Sequence, residues 1–347
     1  MFTWQRHKID ERYRRNIKIR QKVMESIRDF FASEGFVEAE APLLVAAPDL
    51  SPNLNPFKTE IIGDKGQKRE AYLITSPEFS MKKLLAAGFD KVFSLGKVFR
   101  NGEPQTGLHN PEFTMLEWYR AGADYRKLMD DTERLVAYCA EAVDGQHTMD
   151  NGRGASGPWS MVHGPWKRLS VKESFARIGL NLDELLTRDT MAKAAVDRGY
   201  KVSASDSFDD CFFKIFLTEI EPKLGVTESI ILYDYPIQMA ALARPKPEDP
   251  RYAERFEAYV GGLELCNCFS ELTDPAQQRK RFQAEQEERL RLGKEALPMD
   301  EDLIAALGQM KPSSGNALGV DRLVMLLCGA KSIDDVLLFP ASEIFKM

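Results

Sequence analysis

The sequence has few of the features that direct a protein to a membrane or out of the cell. No stretch approaches the roughly 18 consecutive apolar residues that a transmembrane helix requires. The segment Met1–Lys22 is charged and contains no apolar core, so no signal peptide is predicted. The chain has five cysteines, an odd and scattered set, which favours reduced thiols and a cytoplasmic location over a disulfide framework.

Positive charge and histidine are also scarce. The net charge of -6 and the pI near 5.5 argue against a dedicated nucleic-acid-binding protein. A local excess of Arg and Lys between Arg6 and Lys22 is interpreted as the solvated face of a first helix, with docking of an acidic macromolecule as the alternative. With only four histidines, Cys266 and Cys268 are interpreted as structural thiols rather than metal ligands.

The chain of 347 residues is long enough to bury a substantial core, either as one large domain or as two unequal ones. Apolar periodicity of the helical kind predicts helices over Ile17–Gly35, Pro77–Ala87, Tyr125–Val143, Val171–Ile178, Phe208–Leu224 and Pro275–Leu292. Alternating or β-rich runs predict strands over Phe36–Leu44, Ala71–Thr75, Glu228–Tyr233, Gln238–Ala243 and Tyr252–Leu265. This mixture predicts an α+β fold with a mostly antiparallel sheet flanked by helices.

Two separated segments carry the strongest chemical signal. The first, Lys97–Tyr119, reads KVFRNGEPQTGLHNPEFTMLEWY and predicts an antiparallel hairpin with Arg100 at the end of its first strand. The second, Gly315–Arg322, reads GNALGVDR and ends in another arginine. The planar guanidinium pairs with phosphate oxygens and keeps its charge, so two such arginines are suited to hold a triphosphate from both ends.

These segments resemble motifs 2 and 3 of the class II aminoacyl-tRNA synthetases, and specifically the lysine branch. The resemblance spans about residues 15–340 and includes the strings TSPE, HNPEFTMLEWY, GLELCNCFSELTD and ALGVDRLVM. It implies that residues 1–347 form a single class II catalytic domain, in which residues 146–165, rich in Gly and Ser, are an exposed insertion. The helix and strand that precede Leu44 resemble motif 1, which implies a homodimer.

The resemblance implies ATP as a substrate and assigns its ligands. Arg100 is expected at the α-phosphate and Arg322 at the γ-phosphate, where both would stabilise charge that shifts during the reaction. Phe113 would stack on adenine, and His109 would lie on the same face of the returning strand. The loop between Arg100 and His109 is one residue longer than the family's usual spacing, because Gly102 precedes the acidic residue Glu103. Glu103 is also expected at the nucleotide.

A magnesium ion is implied on the strand that contains Glu257 and Glu264. Seven residues apart on one strand, these two side chains would face opposite sides, so a bulge near Gly261–Gly262 is predicted to align them. Aligned carboxylates together with substrate phosphates are ligands that suit Mg²⁺.

The same resemblance places a lysine-type amino acid among six residues. Glu78 is expected to face the amino group near the carboxylate, Asn267 the carboxylate itself, and Glu271 with Tyr119 the distal ammonium. Carboxylates at both ends suit a dicationic substrate, because an unpaired buried charge is very costly. Ser76 and Ala317 occupy positions that are Ala and Gly in lysyl-tRNA synthetases.

These two differences resemble the elongation factor P lysyltransferases, and no anticodon-binding domain is expected in the chain. That family activates (R)-β-lysine and transfers it to a lysine of elongation factor P. The methyl group of Ala317 would crowd an α-amino group, and moving the amine by one carbon relieves the contact. A partner tRNA is not expected. Two alternatives remain: a compact enzyme that charges tRNA or another acceptor with α-lysine, and a non-catalytic regulatory paralogue.

Overall fold

The computed structural model describes residues 3–104, 106–147, 161–240 and 242–345. Its strands are β1 (Val37–Glu38), β2 (Leu44–Val45), β3 (Lys58–Ile62), β4 (Lys68–Leu73), β5 (Lys91–Phe99), β6 (Glu112–Ala121), β7 (Lys167–Ser170), β8 (Ile230–Pro236), β9 (Tyr252–Val260), β10 (Leu263–Ser270) and β11 (Ser313–Gly319). Its α-helices are α1 (Thr3–Ile9), α2 (Glu11–Ser33), α3 (Glu78–Ala86), α4 (Tyr125–His147), α5 (Val171–Ala176), α6 (Arg188–Asp197), α7 (Phe208–Ile215), α8 (Pro275–Arg291), α9 (Glu301–Leu307), α10 (Val320–Cys328) and α11 (Ala341–Ile344).

Within these described ranges, eight strands form one sheet in the order β1-β5-β6-β11-β10-β9-β8-β7. The outermost pairs, β1 with β5 and β7 with β8, are parallel, and the pairs between them are antiparallel. A smaller sheet has the order β2-β4-β3 and is antiparallel throughout. The predicted α+β class with a mostly antiparallel sheet is therefore confirmed.

The largest core cluster lies between the sheet and the helices α2, α4 and α10. On α2 the buried side chains of Ile19, Val23, Ile27 and Phe30 recur every three or four residues, which places them on one face of the helix. The helix begins earlier than predicted, because Asp10 caps it by accepting a hydrogen bond from a backbone N–H of the first turn. These helices cover one face of the sheet and leave the opposite face of its central strands to the candidate site.

Three strand predictions are corrected by the structure. The segment Phe36–Leu44 is not one strand: it contributes β1 to the large sheet and then, after Pro42, enters the small sheet as β2. Proline has no N–H to donate, which explains why pairing is interrupted there. In the segment Gln238–Ala243, the described residues (238–240 and 242–243) do not form a strand: a 3₁₀ turn covers Ile237–Met239, and Ala243 makes an isolated bridge with Glu271. A short apolar run can be buried in either conformation, so periodicity did not separate them.

The long strand predicted over Tyr252–Leu265 is instead a hairpin of β9 and β10. Gly261 and Gly262 form its turn with φ values of +62° and +75°, the left-handed pair that a tight hairpin requires. The bulge exists, but it lies between Glu264 and Cys266 rather than at the glycines. The two glutamates therefore reach one face of the sheet from neighbouring strands.

The helix predicted over Phe208–Leu224 is divided. Helix α7 passes into a π-helical turn over Phe216–Ile220 and a 3₁₀ turn over Glu221–Lys223, where Pro222 disrupts regular helix. Of the predicted insertion, residues 148–160 lie outside the described residues. Its first two residues belong to α4, and Val162 near its end is buried in the main core. In the described ranges no helix is both long and apolar enough to cross a bilayer.

Candidate active site

A cavity of about 640 Å³ opens on the uncovered face of the central strands. Alternation along β6 directs Phe113, Met115 and Glu117 into it, because successive side chains of a strand point to opposite faces. Ten of the predicted site residues line this cavity: Ser76, Glu78, Arg100, Glu103, His109, Phe113, Glu264, Asn267, Ala317 and Arg322. Three others, Tyr119, Glu257 and Glu271, are buried around it and do not line it.

Arg100 occupies one end of the cavity, directly after β5. Its guanidinium carbon lies 5.2 Å from the centre of the Phe113 ring, a cation–π distance. Its Nε atom lies 3.4 Å from the carbonyl oxygen of Thr75. Burial lowers the pKa of Arg100 while nearby carboxylates raise it, and an arginine stays charged in either case. The structure thus places a charged guanidinium beside an aromatic ring in the cavity.

Arg322, near the start of α10, also lines the cavity. Its Nη1 atom donates to the backbone carbonyl of Glu264 at 2.9 Å and lies 3.3 Å from the carboxylate of the same residue. Its Nη2 atom lies 3.1 Å from Nε2 of His109. Arginine has no acceptor atom, so this nitrogen of His109 must be the acceptor, and the ring is neutral. Burial and the charge of Arg322 lower the pKa of His109, which agrees with a neutral ring.

The prediction that His109 lies on the returning strand is wrong, because β6 begins at Glu112. It belongs to the preceding loop and still reaches the cavity. The longer loop accommodates its extra residue through Gly102, whose φ of +71° is in the left-handed region. Glu103 lines the cavity with its carboxylate 3.8 Å from Nε2 of His109. An acidic side chain therefore lines the cavity despite the additional residue in the loop.

A buried ammonium group lies between two of the predicted substrate carboxylates. The Nζ atom of Lys82 is 2.5 Å from Oε1 of Glu78, one helical turn earlier, and 2.7 Å from Oε2 of Glu271. The side chain of Lys82 is 0% exposed. Burial opposes its charge, but the two carboxylates outweigh this effect and raise the pKa of Lys82. Lys82 therefore supplies a counter-charge to Glu271, which the sequence predicted to face the substrate.

Glu117 extends this acidic region into the cavity. Its carboxylate accepts a hydrogen bond of 2.8 Å from the hydroxyl of Tyr119, and both side chains are buried. Burial, reinforced by the charge of Glu78, raises the pKa of Glu117 to about 8. Burial likewise raises the pKa of Glu271 to about 7, although Lys82 opposes the shift. A carboxyl group such as that of Glu117 holds its proton near neutral pH and would ionise beside an arriving cation.

Gly315 on β11 makes this arrangement possible. It lies opposite Tyr119 in the β6–β11 register, and a Cβ atom at this position would collide with the Tyr119 ring and the carboxylate of Glu271. Two positions further along β11, Ala317 lies opposite Glu117 and lines the cavity. There is thus no space for a side chain at Gly315, whereas the side chain of Ala317 lies at the surface of the cavity.

The opposite wall contains a polar network centred on Arg255. This side chain donates to Oδ1 of Asn267 at 3.1 Å, to Oε1 of Glu257 at 2.6 Å and to the Met239 carbonyl at 2.7 Å. The other oxygen of Glu257 accepts from the hydroxyls of Tyr235 at 2.5 Å and Tyr259 at 2.7 Å. Both carboxylate oxygens of Glu257 are therefore engaged, whereas Glu264 faces the cavity.

The family of the chain is shown by comparison with known proteins. The profile of the family described as tRNA synthetases class II (D, K and N) matches residues 5–343. The chain belongs to this family.

Members of two kinds resemble this class II chain. The elongation factor P–(R)-beta-lysine ligase of Vibrio cholerae is 39% identical over 331 residues, which cover 93% of this chain and 94% of the relative. The ligase of the same name from Proteus mirabilis is 37% identical and is covered to 94%. The lysine–tRNA ligase of Dehalococcoides mccartyi is 37% identical over 94% of this chain, which covers 64% of that relative.

Three residues of this class II site were missed by reasoning from sequence. Glu117 could have been predicted, because it lies at an even spacing from Phe113 and Tyr119 on one strand, which places the three side chains on the same face. Arg255 had the same signal, two residues before Glu257. Lys82 had only a weak one, since Glu–Lys pairs four residues apart are common on solvated helix faces. Burial of its ammonium group depends on Glu271, which is distant in sequence.

Proposed function

We propose that this chain activates a lysine-type amino acid, (R)-β-lysine, with ATP and transfers it to the ε-amine of a lysine on elongation factor P. The observation that carries the proposal is one cavity that has arginines at its phosphate end and buried carboxylates at its other end. Arg100 and Arg322 line it together with Glu78 and Glu117. Such a cavity has the charges to hold a triphosphate beside an amino acid with two ammonium groups.

The relatives named as elongation factor P–(R)-beta-lysine ligases support a protein acceptor. The chain covers 94% of the relatives named as elongation factor P ligases and 64% of a relative named as a lysine–tRNA ligase. The net charge of -6 also disfavours a large phosphate-bearing partner. The class II family as a whole supports ATP as the activating substrate.

In the proposed activation step, the substrate carboxylate attacks the α-phosphorus of ATP. A bond forms between the carboxylate oxygen and phosphorus, the bond to the bridging oxygen breaks, and pyrophosphate leaves. Arg100 stabilises the charge that develops on the α-phosphate, and Arg322 holds the γ-phosphate. Phe113 stacks on adenine, with His109 and Glu103 around the nucleotide. Bound groups held in this orientation react without the entropy cost of a collision.

For the amino acid, we propose that Glu78 and Glu117 face ammonium groups, with Asn267 at the carboxylate. Ser76 and Ala317 form the wall beside the amine nearest the carboxylate. Glu271 and Tyr119, which do not line the cavity, interact electrostatically with the distal ammonium. Lys82 is the cation that is already paired with Glu271. Removing a charged partner from such a buried group is costly, so the pocket would strongly reject uncharged analogues.

Of the two glutamates predicted to bind magnesium, Glu264 fits this role and Glu257 does not fit it in the present arrangement. Glu264 lines the cavity beside Arg322, whereas both oxygens of Glu257 accept from Arg255 and two tyrosines. Among the described residues, no group of three or more His, Cys, Asp and Glu is placed to hold a metal. Mg²⁺ usually takes one or two carboxylates plus substrate phosphates, and when bound it would neutralise phosphate charge.

In the proposed transfer step, the neutral amine of the acceptor lysine attacks the acyl carbon of the adenylate. The new bond joins nitrogen to carbon, the carbon–oxygen bond to the α-phosphate breaks, AMP leaves, and the proton lost by the amine passes to solvent. No covalent enzyme intermediate is proposed, because the adenylate is already activated.

A homodimer is proposed from the resemblance to motif 1; Val37, Leu43 and Leu44 in that region are exposed.

The experiment that tests the proposal has two stages. ATP–pyrophosphate exchange with the pure protein should be supported by (R)-β-lysine in strong preference to α-lysine. The protein should then transfer labelled (R)-β-lysine to elongation factor P and not to tRNA(Lys). Arg322→Ala serves as the control for adenylate formation, since it should abolish exchange while leaving the thermal unfolding transition in place.

The rival readings give other results. Preference for α-lysine with robust charging of tRNA(Lys) would replace the proposal by a compact tRNA-charging enzyme, which the lysine–tRNA ligase relatives favour. No exchange with either amino acid would indicate a regulatory paralogue.

A further inference from the structure

Residues 49–55, here called the 49–55 loop, connect β2 to β3 and form one wall of the candidate active site. Five of them line the cavity: Asp49, Ser51, Pro52, Asn53 and Leu54. The loop contains no strand or helix, so its backbone carbonyl groups need hydrogen-bond partners from another part of the fold. The C-terminal end of α8 provides these partners.

Arg289, in the last turn of α8, is the main partner of the loop, and it is 3% exposed. Its Nη1 atom donates to the carbonyl oxygens of Ser51 and Leu54, both at 2.9 Å. Its Nε atom donates to the carbonyl oxygen of Glu295 at 3.1 Å. Carboxylates such as that of Asp49 act on it only through space. The buried guanidinium is therefore arranged to hold backbone in place, since its rigid fork fixes the direction of each bond.

Lys294 adds a second attachment just beyond α8. Its Nζ atom donates to the carbonyl oxygen of Pro52 at 2.6 Å. Gly293, with a φ of +72°, ends the helix in the left-handed conformation, and the backbone N–H of Lys294 then donates to the carbonyl oxygen of Arg289 at 2.9 Å. Two neighbouring cations thus bind the carbonyl groups of three of the four residues 51–54.

The C-terminal end of the same loop is attached to the residue that follows Arg100. The backbone N–H of Asn101 donates to the carbonyl oxygen of Asn55 at 2.8 Å, and the side-chain amide of Asn55 donates to the carbonyl oxygen of Asn101 at 3.3 Å. Asn55 directly follows Leu54, whose carbonyl group Arg289 binds. A continuous path of bonds therefore runs from Arg289 to the backbone beside Arg100. Neither Arg289 nor Asn55 lines the cavity.

We propose that Arg289 is a positioning residue for the activation step: it fixes the 49–55 loop, and through Asn55 and Asn101 it keeps Arg100 at the α-phosphate. The inference rests on the proposed function, because it concerns the arginine that acts on ATP there. Arg100 acts on charge that develops in the transition state. A small displacement of its backbone should therefore lower the rate of activation more than it weakens amino acid binding.

The test separates this role from a general effect on stability. ATP–pyrophosphate exchange is measured for Arg289→Met, and the active sites are counted by single-turnover formation of adenylate. The kcat per active site should fall about tenfold, while the KM for the amino acid changes by less than about twofold. A residue that only stabilised the fold would instead reduce the number of active sites and leave kcat per site at the wild-type value.

Three further variants keep the test decisive if Arg289→Met fails to fold. Arg289→Lys keeps the charge and should retain more of kcat than Arg289→Met, although a single ammonium group replaces the fork of the guanidinium. Lys294→Met removes only the bond to Pro52 from a half-buried side chain and should lower kcat to a smaller extent. Asn55→Ala should also lower kcat. It should add little to the loss in a double mutant with either cation, because all three residues act through one loop.

Arg279→Met is the matched control, because it removes an arginine from the same helix that pairs with the exposed carboxylate of Glu301. It should leave kcat unchanged. Wild-type kcat per site in both Arg289→Met and Lys294→Met would overturn the inference and leave the proposed function standing. A raised KM for the amino acid at unchanged kcat would also overturn it, because the loop would then serve amino acid binding. A wild-type protein that supports no exchange with a lysine-type amino acid would overturn the proposed function, and the inference with it.

Discussion

At the scale of single residues, the candidate site depends on carboxyl groups that the fold holds away from water. Glu78, Glu117 and Glu271 lie close enough to influence one another's ionisation, with Lys82 as the neighbouring cation. Burial disfavours their charged forms, and each additional carboxylate increases the effect. The free protein therefore carries protons here that a cationic ligand would displace, which links substrate binding to pH.

Glu117 makes the stability of the free protein dependent on pH. Its pKa is about 8 in the folded state against 4.5 ordinarily, so between these values only the unfolded state loses the proton. The free energy of unfolding should therefore fall as pH rises from about 4.5 to about 8, by up to about 1.4 kcal/mol per pH unit from this group. Glu117→Gln should remove that slope in urea unfolding between pH 5.5 and 7.5 (roughly the steepest part). Glu287→Gln, at an exposed carboxylate, is the control and should leave the slope unchanged.

Ala317 should decide which lysine isomer is preferred. Its methyl group lies on the cavity wall opposite Glu117, beside the proposed position of the amine nearest the carboxylate. Ala317→Gly should move the ratio of kcat/KM for α-lysine over (R)-β-lysine toward α-lysine by about tenfold or more, since one methyl contact is worth roughly 1–3 kcal/mol. The measurement is pyrophosphate exchange with both amino acids. An unchanged ratio would mean that this methyl group does not discriminate between an α-amino and a β-amino group.

At the scale of secondary-structure elements, the site is assembled from β6, β9, β10, β11 and the start of α3. The alternation of β6 was readable from sequence, and it correctly directs Phe113 into the cavity. The β9–β10 hairpin was not, because a run of apolar residues through two glycines fits both a long bulged strand and a tight turn. The pairing of Tyr259 with Glu264 across the hairpin shows that the chain turns at the glycines.

The two glycines of this turn should differ in their tolerance of a side chain. Both have positive φ, so Ala at either position should cost about 1–2 kcal/mol of backbone strain. A Cβ atom on Gly261 would also lie 2.7 Å from Cδ1 of buried Leu326, whereas one on Gly262 meets only Val226 at 3.9 Å. Gly261→Ala should therefore lower the free energy of unfolding more than Gly262→Ala in urea denaturation. Equal losses would show that Leu326 moves aside.

Helix α3 contains a contrasting pair of neighbours, Lys82 and Lys83. Lys82→Met leaves the carboxylates of Glu78 and Glu271 without their buried cation and should cost about 3–5 kcal/mol. Lys83→Met breaks a half-exposed pair with Asp300 and should cost less than about 1 kcal/mol. A lysine-type ligand should stabilise the Lys82→Met protein more than the wild type in thermal unfolding, because its ammonium replaces the missing charge. Equal stabilisation would contradict the proposed position of the ligand.

At the scale of the whole molecule, one buried ion pair joins three segments that are far apart in sequence. Asp321 on α10 accepts from the guanidinium of Arg20 on α2 and from the backbone N–H of Thr114 on β6 at 2.7 Å. Arg20 also donates to the hydroxyl of Thr114 at 2.7 Å. This network connects the regions that resemble motifs 1, 2 and 3, because it couples α2 to β6 and to α10.

A double-mutant cycle should reveal that coupling. Arg20→Met and Asp321→Asn should each lower the free energy of unfolding by about 3–5 kcal/mol, because each leaves a buried partner unsatisfied. The double mutant should lose clearly less than the sum of the two. The exposed pair Arg28 and Glu38, at 2.9 Å, is the control and should show a coupling below about 1 kcal/mol. Additive losses at the buried pair would mean that the contact contributes nothing of its own.

The sequence by itself determined the fold class through its periodicity, and the resemblance of its local strings to class II motifs implied that Arg100, Phe113, Glu264 and Arg322 share one site, which the cavity confirms. Tertiary structure alone decided the partners of those residues. Burial of the Lys82 ammonium, the engagement of Glu257 by Arg255 and two tyrosines, and the bonds of Arg289 to the 49–55 loop all arise from contacts between distant segments. Desolvation and pairing are properties of the assembled fold, and no local pattern specifies them.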